Sequence, residues 1–376
     1  MKESIEMDFQ GYSSKDLHHL FRLEERFKSQ QVLANAESRG EIPKARRIAR
    51  GKKEVRKWAT EQLPEIGKRF GFIPNRKIRR QVISVFTQKG GTLKTTLSHA
   101  FARVLALHGI RVLMVGLDMQ GSITKTMLPP PTNMDTLADI LAYNKAIKGL
   151  YHFFNQPEKA RRIEEVIHKT DLPTLDIIPE TPQLNDLILL INQKTLREFR
   201  FRDDLLPYIE AYDVVLFDNG PSWNSLVENS LACSTTLIQP VGCDVGTFQV
   251  LDGNMAQVED FRVKAKITWD NQLLVPTLRE NTKLSQQILG AYIAQYPARQ
   301  LLTNTIRKSV AGQEALYLNR SALEHDPRSD LSDDYANVVR EIWDRICSTE
   351  QQKFAPTETS PTTTLRHLSS ESVAQV

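Results

Sequence analysis

The sequence predicts an α/β fold, a doubly wound and mostly parallel sheet, preceded by a small helical domain. Three observations carry this. Short runs that are apolar almost throughout, such as QVISVF (81–86) and DVVLFD (213–218), alternate with helical stretches from residue 81 onward. Strands of that kind are buried on both faces and belong to parallel sheets covered by helices. A glycine-containing loop, TQKGGTLKTT (87–96), joins the first such strand to an amphipathic helix. Before residue 81 the pattern is instead helical and basic.

In chain order, SSKDLHHLFRLEERFK reads as an amphipathic helix capped by Ser14, with Leu17, Leu20, Phe21 and Leu23 at near-helical spacing. A second helix spans about Gln30–Ser38 and ends at Arg39-Gly40. The next stretch carries eight bases between positions 44 and 57 (Lys44, Arg46, Arg47, Arg50, Lys52, Lys53, Arg56, Lys57) against one acid, Glu54. Its Gly51-Lys52-Lys53 reads as a turn between two short extended pieces, and a helix follows over Leu63–Phe70. After the strand 81–86, Leu97, Ala100, Phe101, Val104 and Leu105 form one helix face, which Gly109 stops. Further strands are expected at RVLMVGL (111–117), LDIIP (175–179), DVVLFD (213–218), TTLIQPV (235–241), LLVPT (273–277) and LLTNTI (301–306). A last helix, DDYANVVREIWDRI, ends near Cys347. The remaining 29 residues hold eleven Ser/Thr and two prolines, a composition that predicts a disordered tail. The expected organisation is a basic head (1–80), an α/β domain (81–347) and the tail (348–376).

Composition narrows the classes. Of 376 residues, 40% are hydrophobic and 25% charged, which excludes a wholly disordered chain. No run approaches 18 uncharged apolar residues, so no transmembrane helix is expected. The polar, Ser/Thr-rich tail with Pro356 and Pro361 offers no amphipathic helix, so no membrane partner is expected. MKESIEMDFQ is charged and no apolar region follows it, so no secretory signal is expected. Cys233, Cys243 and Cys347 form no C-x-x-C, which points to a reduced, cytoplasmic protein without disulfides or a zinc knuckle. The net charge of +4 is uneven: residues 1–80 hold 20 Lys+Arg against 11 Asp+Glu, and the rest hold 29 against 34. A net of +9 on a body of −5 suggests a head that meets a polyanion; a merely solvated basic surface is the alternative.

The strongest chemical signal is the loop 87–96. A phosphate cradle needs inward backbone N–H groups, a helix N-terminus, a lysine and a hydroxyl for Mg²⁺. Gly90 and Gly91 allow the tight loop, Lys94 opens the helix and Thr95 supplies the hydroxyl. The common G-x-x-x-x-G-K-[ST] pattern fails here, because its glycine positions are Gln88 and Leu93.

Lys89-Gly90-Gly91-Thr92-Leu93-Lys94-Thr95-Thr96 resembles the deviant Walker A box of the ParA/MinD ATPases, K-G-G-x-x-K-[ST]-[ST]. Leu93 stands where most members have Gly; a bulky residue there fits the plasmid-partition branch with an N-terminal DNA-binding extension. VLMVGLDMQGSIT (112–124) resembles the family's D-x-D-P-Q segment: Asp118 and Gln120 match, while Gly116 and Met119 replace the first Asp and the Pro. AYDVVLFDNGPS (211–222) resembles the Walker B segment, with Asp218 and Pro221 in place. The resemblance spans roughly residues 81–347 and implies a P-loop NTPase fold with phosphates at the C-terminal strand ends. It further implies ATP held by residues 89–96, and Mg²⁺ held by Thr95 and, through water, Asp218. It implies water positioned by Asp118, and Lys89 reaching the phosphates of a second subunit in an ATP-bound homodimer, or in higher assemblies. Non-specific DNA binding, a ParB-type partner and a nucleoid-associated, cytoplasmic location follow by the same route. The head resembles the winged-helix or MerR-like extension of the larger plasmid ParA proteins, in which the eight bases would contact phosphates and the helix near 30–38 the major groove. The alternative is a nucleotide-sensing transcriptional regulator with little turnover. Ser222 has no G-x-S-x-G setting, and His99 and His108 lack metal-ligand spacing. Cys243-Asp244 reads as structural, and Arg307-Lys308 and Lys264-Lys266 as surface charge.

Overall fold

The computed structural model describes residues 11–50, 53–74, 76, 78–131, 134 and 136–354. A seven-stranded sheet forms the centre. Its strands are β4 (Gln81–Val85), β5 (Val112–Leu117), β6 (His168–Lys169), β7 (Leu175–Ile178), β8 (Val214–Asn219), β9 (Thr236–Gly242) and β10 (Asn271–Thr277). Their spatial order is β10-β9-β4-β8-β5-β7-β6; every pairing is parallel except that of the short edge strand β6. Three smaller strands belong to the head: β1 (Tyr12–Ser13), β2 (Arg46–Arg50) and β3 (Lys53–Trp58), paired antiparallel in the order β1-β3-β2.

The two-residue period of a strand divides the core. Ile83, Val85, Val112, Met114, Val214 and Leu216 face one apolar cluster, and their neighbours Val82, Leu113, Val115, Val215 and Phe217 face another. The first cluster includes α4 (Lys94–Leu107), which follows the 87–93 loop, and the long helix Asp330–Phe354. The second is closed by short helices between residues 150 and 233.

Periodicity predicts a single apolar face on α4, yet every residue from Leu97 to Leu107 is buried. The head covers the outer face. Its helices α1 (Ser14–Leu20, with Phe21 as its C-cap) and α3 (Leu63–Phe70) contribute Leu17, Phe21, Ile66 and Phe70 to the same cluster as Leu105, Val339 and Trp343. At the closest point a Cβ on Gly67 would stand 1.9 Å from the Leu107 carbonyl oxygen, so only glycine permits this approach. Polar ties reinforce the joint. Arg22 pairs with Asp333 and donates to Ser332 Oγ at 3.0 Å, and Arg340 reaches Glu25 at 2.9 Å.

Three local expectations change. Ser13, not Ser14, caps α1: its hydroxyl accepts from Asp16 N while Asp16 accepts from Ser13 N at 2.8 Å. The helix then stops at Leu20, since Arg22 adopts a left-handed conformation, φ +51°. Residues 301–306 run beside β10 but bridge it only at Leu301, and they bend at Thr303. Leu274 N donates to Gln300 O and Leu302 N to Leu274 O, but the next donor along β10 would be Pro276, which has no N–H. The final helix runs to Phe354 rather than ending near Cys347. Glu350 is held there by Arg79 at 3.0 Å and Thr349 by Asn271 at 2.8 Å. The rest of the predicted tail, 355–376, lies outside the described residues. Among the described residues no helix is long and apolar enough to cross a membrane.

Candidate functional site

The chain reverses its winding at the centre of the sheet: β4 leads to β5 across β8, and β8 leads to β9 across β4. In such sheets the crevice at the C-terminal strand ends is the natural ligand site. The loop 87–93 leaves β4 there and turns straight into α4, whose N-terminus carries the partial positive charge of the helix. Two residues set the turn, Gly91 at φ +76° and Leu93 at φ +68°. Thr277 Oγ1, at the end of β10, donates to Thr92 O at 3.1 Å and fastens the loop to the sheet.

Lys94 is the first residue of α4 and is buried; its Nζ donates to Lys89 O at 2.9 Å. Burial lowers its pKa, while Asp218 and Asp118 act to raise it. Asp218, one residue before the end of β8, is fully buried. Ser98 Oγ, one turn beyond Lys94, donates to its Oδ1 at 2.7 Å, and Oδ2 has no hydrogen-bond partner among the described residues. Burial pushes Asp218 up to about 6, opposed by the hydroxyls of Ser98 and Thr95 and raised further by Asp118. At the end of β8, Asn219 Nδ2 donates to Val85 O at 3.1 Å and locks the ends of β4 and β8 together. Asp118 leaves β5 half-buried; its Oδ1 accepts from Gln120 N at 3.0 Å and lies 3.2 Å from where a Cβ on Gly220 would stand.

The loop 89–91, α4 and the ends of β5 and β8 thus bring Lys94, Thr95, Asp118 and Asp218 to one place. Thr96 points elsewhere, into a crevice with His99, Ala100, Gly312 and Leu316. Lys89 is exposed; its Nζ lies 3.5 Å from the Cβ position of Gly246, near Asp244, and with Gly90 and Gly91 it borders the cleft beside the loop. Beside the loop a cleft of about 360 Å³ is lined by Gly90, Gly91, Cys243, Leu278 and Ser285.

The donor set fits a hard divalent cation. Such ions take oxygen ligands, and Mg²⁺ keeps several waters. A buried carboxylate oxygen without a donor is what a metal-bound water would satisfy, and Asp218 Oδ2 is that atom. Sequence reasoning missed Ser98, Asn219 and Thr277. Ser98 stands one turn after Lys94 on the same helix, which is the one signal that could have found it.

Of the eight bases between 44 and 57, those whose side chains are described are spread rather than gathered. Arg47 and Arg56 are both drawn to the buried Glu37, at 3.2 and 2.8 Å. Lys57 faces the body, in a cleft with Asp16, Arg320 and Glu324. Lys44 and Arg46 are exposed; Lys52, and the side chains of Arg50 and Lys53, lie outside the described residues. Helix α2 (Gln31–Ser38) buries Leu33, Ala34, Ala36 and Glu37 and leaves Gln31, Asn35 and Ser38 exposed. His99 and His108 serve the core: Nε2 of His99 meets Asn319 Oδ1 at 3.1 Å, and Nδ1 of His108 meets Val104 O at 2.6 Å.

Comparison with known proteins agrees with this fold. A family described as an AAA domain matches residues 80–268. Cell division protein PomZ of Myxococcus xanthus is 30% identical over 270 residues, 71% of this chain and 79% of PomZ. The chromosome-partitioning ATPase Soj of Thermus thermophilus is 26% identical, over 72% of this chain and 97% of Soj. Among solved structures, a Borrelia burgdorferi plasmid partition protein bound to AMPPNP matches 73% of this chain and all of its own (TM-score 0.54, 19% identity). A variant of Cyanothece McdA in complex with ATP matches 71% of this chain and 97% of its own (TM-score 0.60, 14% identity). At those identities the two structures speak for the fold alone.

Proposed function

The chain belongs to the ParA/MinD family of P-loop ATPases, and on that premise we propose that it is a partition ATPase driven by Mg-ATP. Its relatives include partition ATPases of chromosomes. The carrying observation is the convergence of Lys94, Thr95, Asp118 and Asp218 at the N-terminus of α4, between strand ends that reverse their winding. In this reading the loop N–H groups and Lys94 bind the phosphates, and the adjoining 360 Å³ cleft takes the nucleoside. Thr95 and the water-linked Asp218 hold Mg²⁺, which when bound neutralises charge on the phosphates. Asp118 orients the attacking water; a carboxylate at that place needs little basicity, because phosphoryl transfer depends on positioning. Lys89, exposed at the rim of the cleft, reaches the phosphates of a second subunit in a homodimer and adds positive charge where the transition state gathers negative charge.

The DNA cargo is engaged non-specifically by the ATP-bound dimer, and a ParB-type partner stimulates hydrolysis and release. The head reads an operator with the exposed polar face of α2, where Gln31 and Asn35 are of the types that pair with adenine edges. Lys44 and Arg46 contact phosphates. A second reading, a regulator that senses nucleotide without rapid turnover, is favoured by the core shared between head and α4. ATP turnover with and without DNA and partner separates the two. Stimulation supports the partition reading; operator binding that responds to nucleotide, with no stimulation, refutes it.

A further inference from the structure

β5 ends in Val115-Gly116-Leu117, and Gly116 occupies the position at which the resembling segment has its first carboxylate. The structure shows what stands there instead. A Cβ on Gly116 would lie 2.5 Å from Cγ and 2.7 Å from Cδ of Glu180, and 3.0 Å from Cγ2 of Ile123. The space of a side chain at 116 is therefore taken by the Glu180 carboxyl, delivered from the segment after β7, the neighbour of β5.

Its surroundings are not those of a surface acid. Glu180 is 6% exposed. Its Oε2 accepts from Thr124 N at 2.8 Å and from Thr124 Oγ1 at 2.7 Å, while Oε1 is buried with no hydrogen-bond partner among the described residues. Thr124 lies in the first turn of α5 (Ser122–Met127), the helix that follows the Asp118 turn, so Glu180 also steadies that turn.

The register gives the direction. Gly116 pairs with Asp218 across β5 and β8, and in-register residues of adjacent parallel strands point to the same face. Both continue the rows Val112–Met114 and Val214–Leu216 that face α4. A carboxyl in the side-chain space of residue 116 is thus the neighbour of Asp218, one strand spacing away, about 5 Å. Two adjacent carboxyls, each with a buried oxygen that has no hydrogen-bond partner among the described residues, call for a cation or its bound water between them.

We propose that Glu180 supplies, from the β7 side, the carboxylate that β5 lacks, as a positioning residue for the hydrated divalent cation held by Asp218. This rests on the Mg-nucleotide reading. Gly116 and Glu180 then form a pair: glycine at 116 is required by the acid at 180, and the acid at 180 takes over for the missing one at 116.

The test uses the full chain and a fluorescent ATP analogue, with Mg²⁺ titrated and with EDTA present, alongside thermal unfolding. Glu180→Gln keeps the shape and removes the charge. It is expected to raise the half-saturating Mg²⁺ at least tenfold, in line with lost outer-shell partners of metals, while binding in EDTA is unchanged or tighter. Gly116→Asp in a Glu180→Ala background is expected to recover most of that Mg²⁺ response relative to Glu180→Ala alone. A folded Glu180→Gln variant whose half-saturating Mg²⁺ stays within twofold of wild type overturns the proposal, as does a double variant no better than Glu180→Ala. Wild-type chain with no Mg²⁺-dependent nucleotide binding overturns the nucleotide reading, and the proposal with it.

Discussion

Leu93 holds a conformation that leucine resists, and its replacement gives a measurable sign. It sits at φ +68°, ψ +25°, the left-handed region, immediately before Lys94. An L-residue there costs about 1–2 kcal/mol and glycine costs essentially none. Against that, the half-buried side chain packs on the main apolar cluster. Full burial of a leucine is worth about 1.5–3 kcal/mol, so truncation of this one loses about 1 kcal/mol. Leu93→Ala loses the packing and keeps the strain, a net loss of about 1 kcal/mol. Leu93→Gly loses the same packing and recovers the strain, but returns about 0.5–1 kcal/mol to the freedom of the unfolded chain. Glycine should therefore exceed alanine by about 0.5–1 kcal/mol, the reverse of their usual order in regular structure. Urea unfolding followed by circular dichroism reads this as a higher midpoint for Leu93→Gly at unchanged slope. An alanine variant as stable as the glycine variant refutes the strain argument.

Three other expectations follow from the same structure. Gly67→Ala forces a Cβ into the Leu107 carbonyl and should cost about 3 kcal/mol or more; a thermal melt in which head and body unfold together supports the shared core, and two separate transitions refute it. Burial beside Asp218 and Asp118 pushes Glu180 up to about 8 from 4.5, so the nucleotide-free native state binds more protons than the unfolded chain between those values, and stability falls as pH rises through that window. Below pH 6.5, His99 and His108, buried and held near 4, act the opposite way; the clean range is therefore about pH 6.5 to 8, where Glu180→Gln should flatten the fall and an unchanged slope refutes the assignment. Lys94→Ala should weaken nucleotide binding by about a hundredfold, since it removes a charge-assisted phosphate contact, whereas Asp118→Ala should bind normally and lose turnover; wild-type turnover in Asp118→Ala removes its role.

Much of this was legible from local pattern. Strands β4, β5, β7, β8, β9 and β10 stand where apolar runs place them, and Lys94, Thr95 and Asp218 stand on the elements expected of them. What failed was set by distant partners. Nothing near residue 347 indicates that Arg79 and Asn271 extend the last helix to Phe354. The segment 301–306 has a strand's composition, but its partner has Pro276 where a donor is needed. The basic run between 44 and 57 was evident, whereas the claim of Glu37 on Arg47 and Arg56 depends on how α2 packs against the hairpin. Gly116 was visible as a departure from pattern; Glu180 as its complement was not, because only the β5–β7 pairing brings them together.

The burial of both faces of α4 has a consequence for how such a chain can change over generations. A head tethered by a linker can be exchanged by recombination, as one cassette for another, and each half still folds. Here a crossover near residue 80 would strip Leu17, Phe21, Ile66 and Phe70 from the helix that begins at Lys94. Each fragment would then present a wet, apolar scar. New surface properties of the head must arise by point substitution on its exposed side, with its inner side held fixed. The same helix carries Lys94 at its start and the Leu107 contact with Gly67 at its end. A change in either half is therefore felt by the other through one rigid rod of fourteen residues.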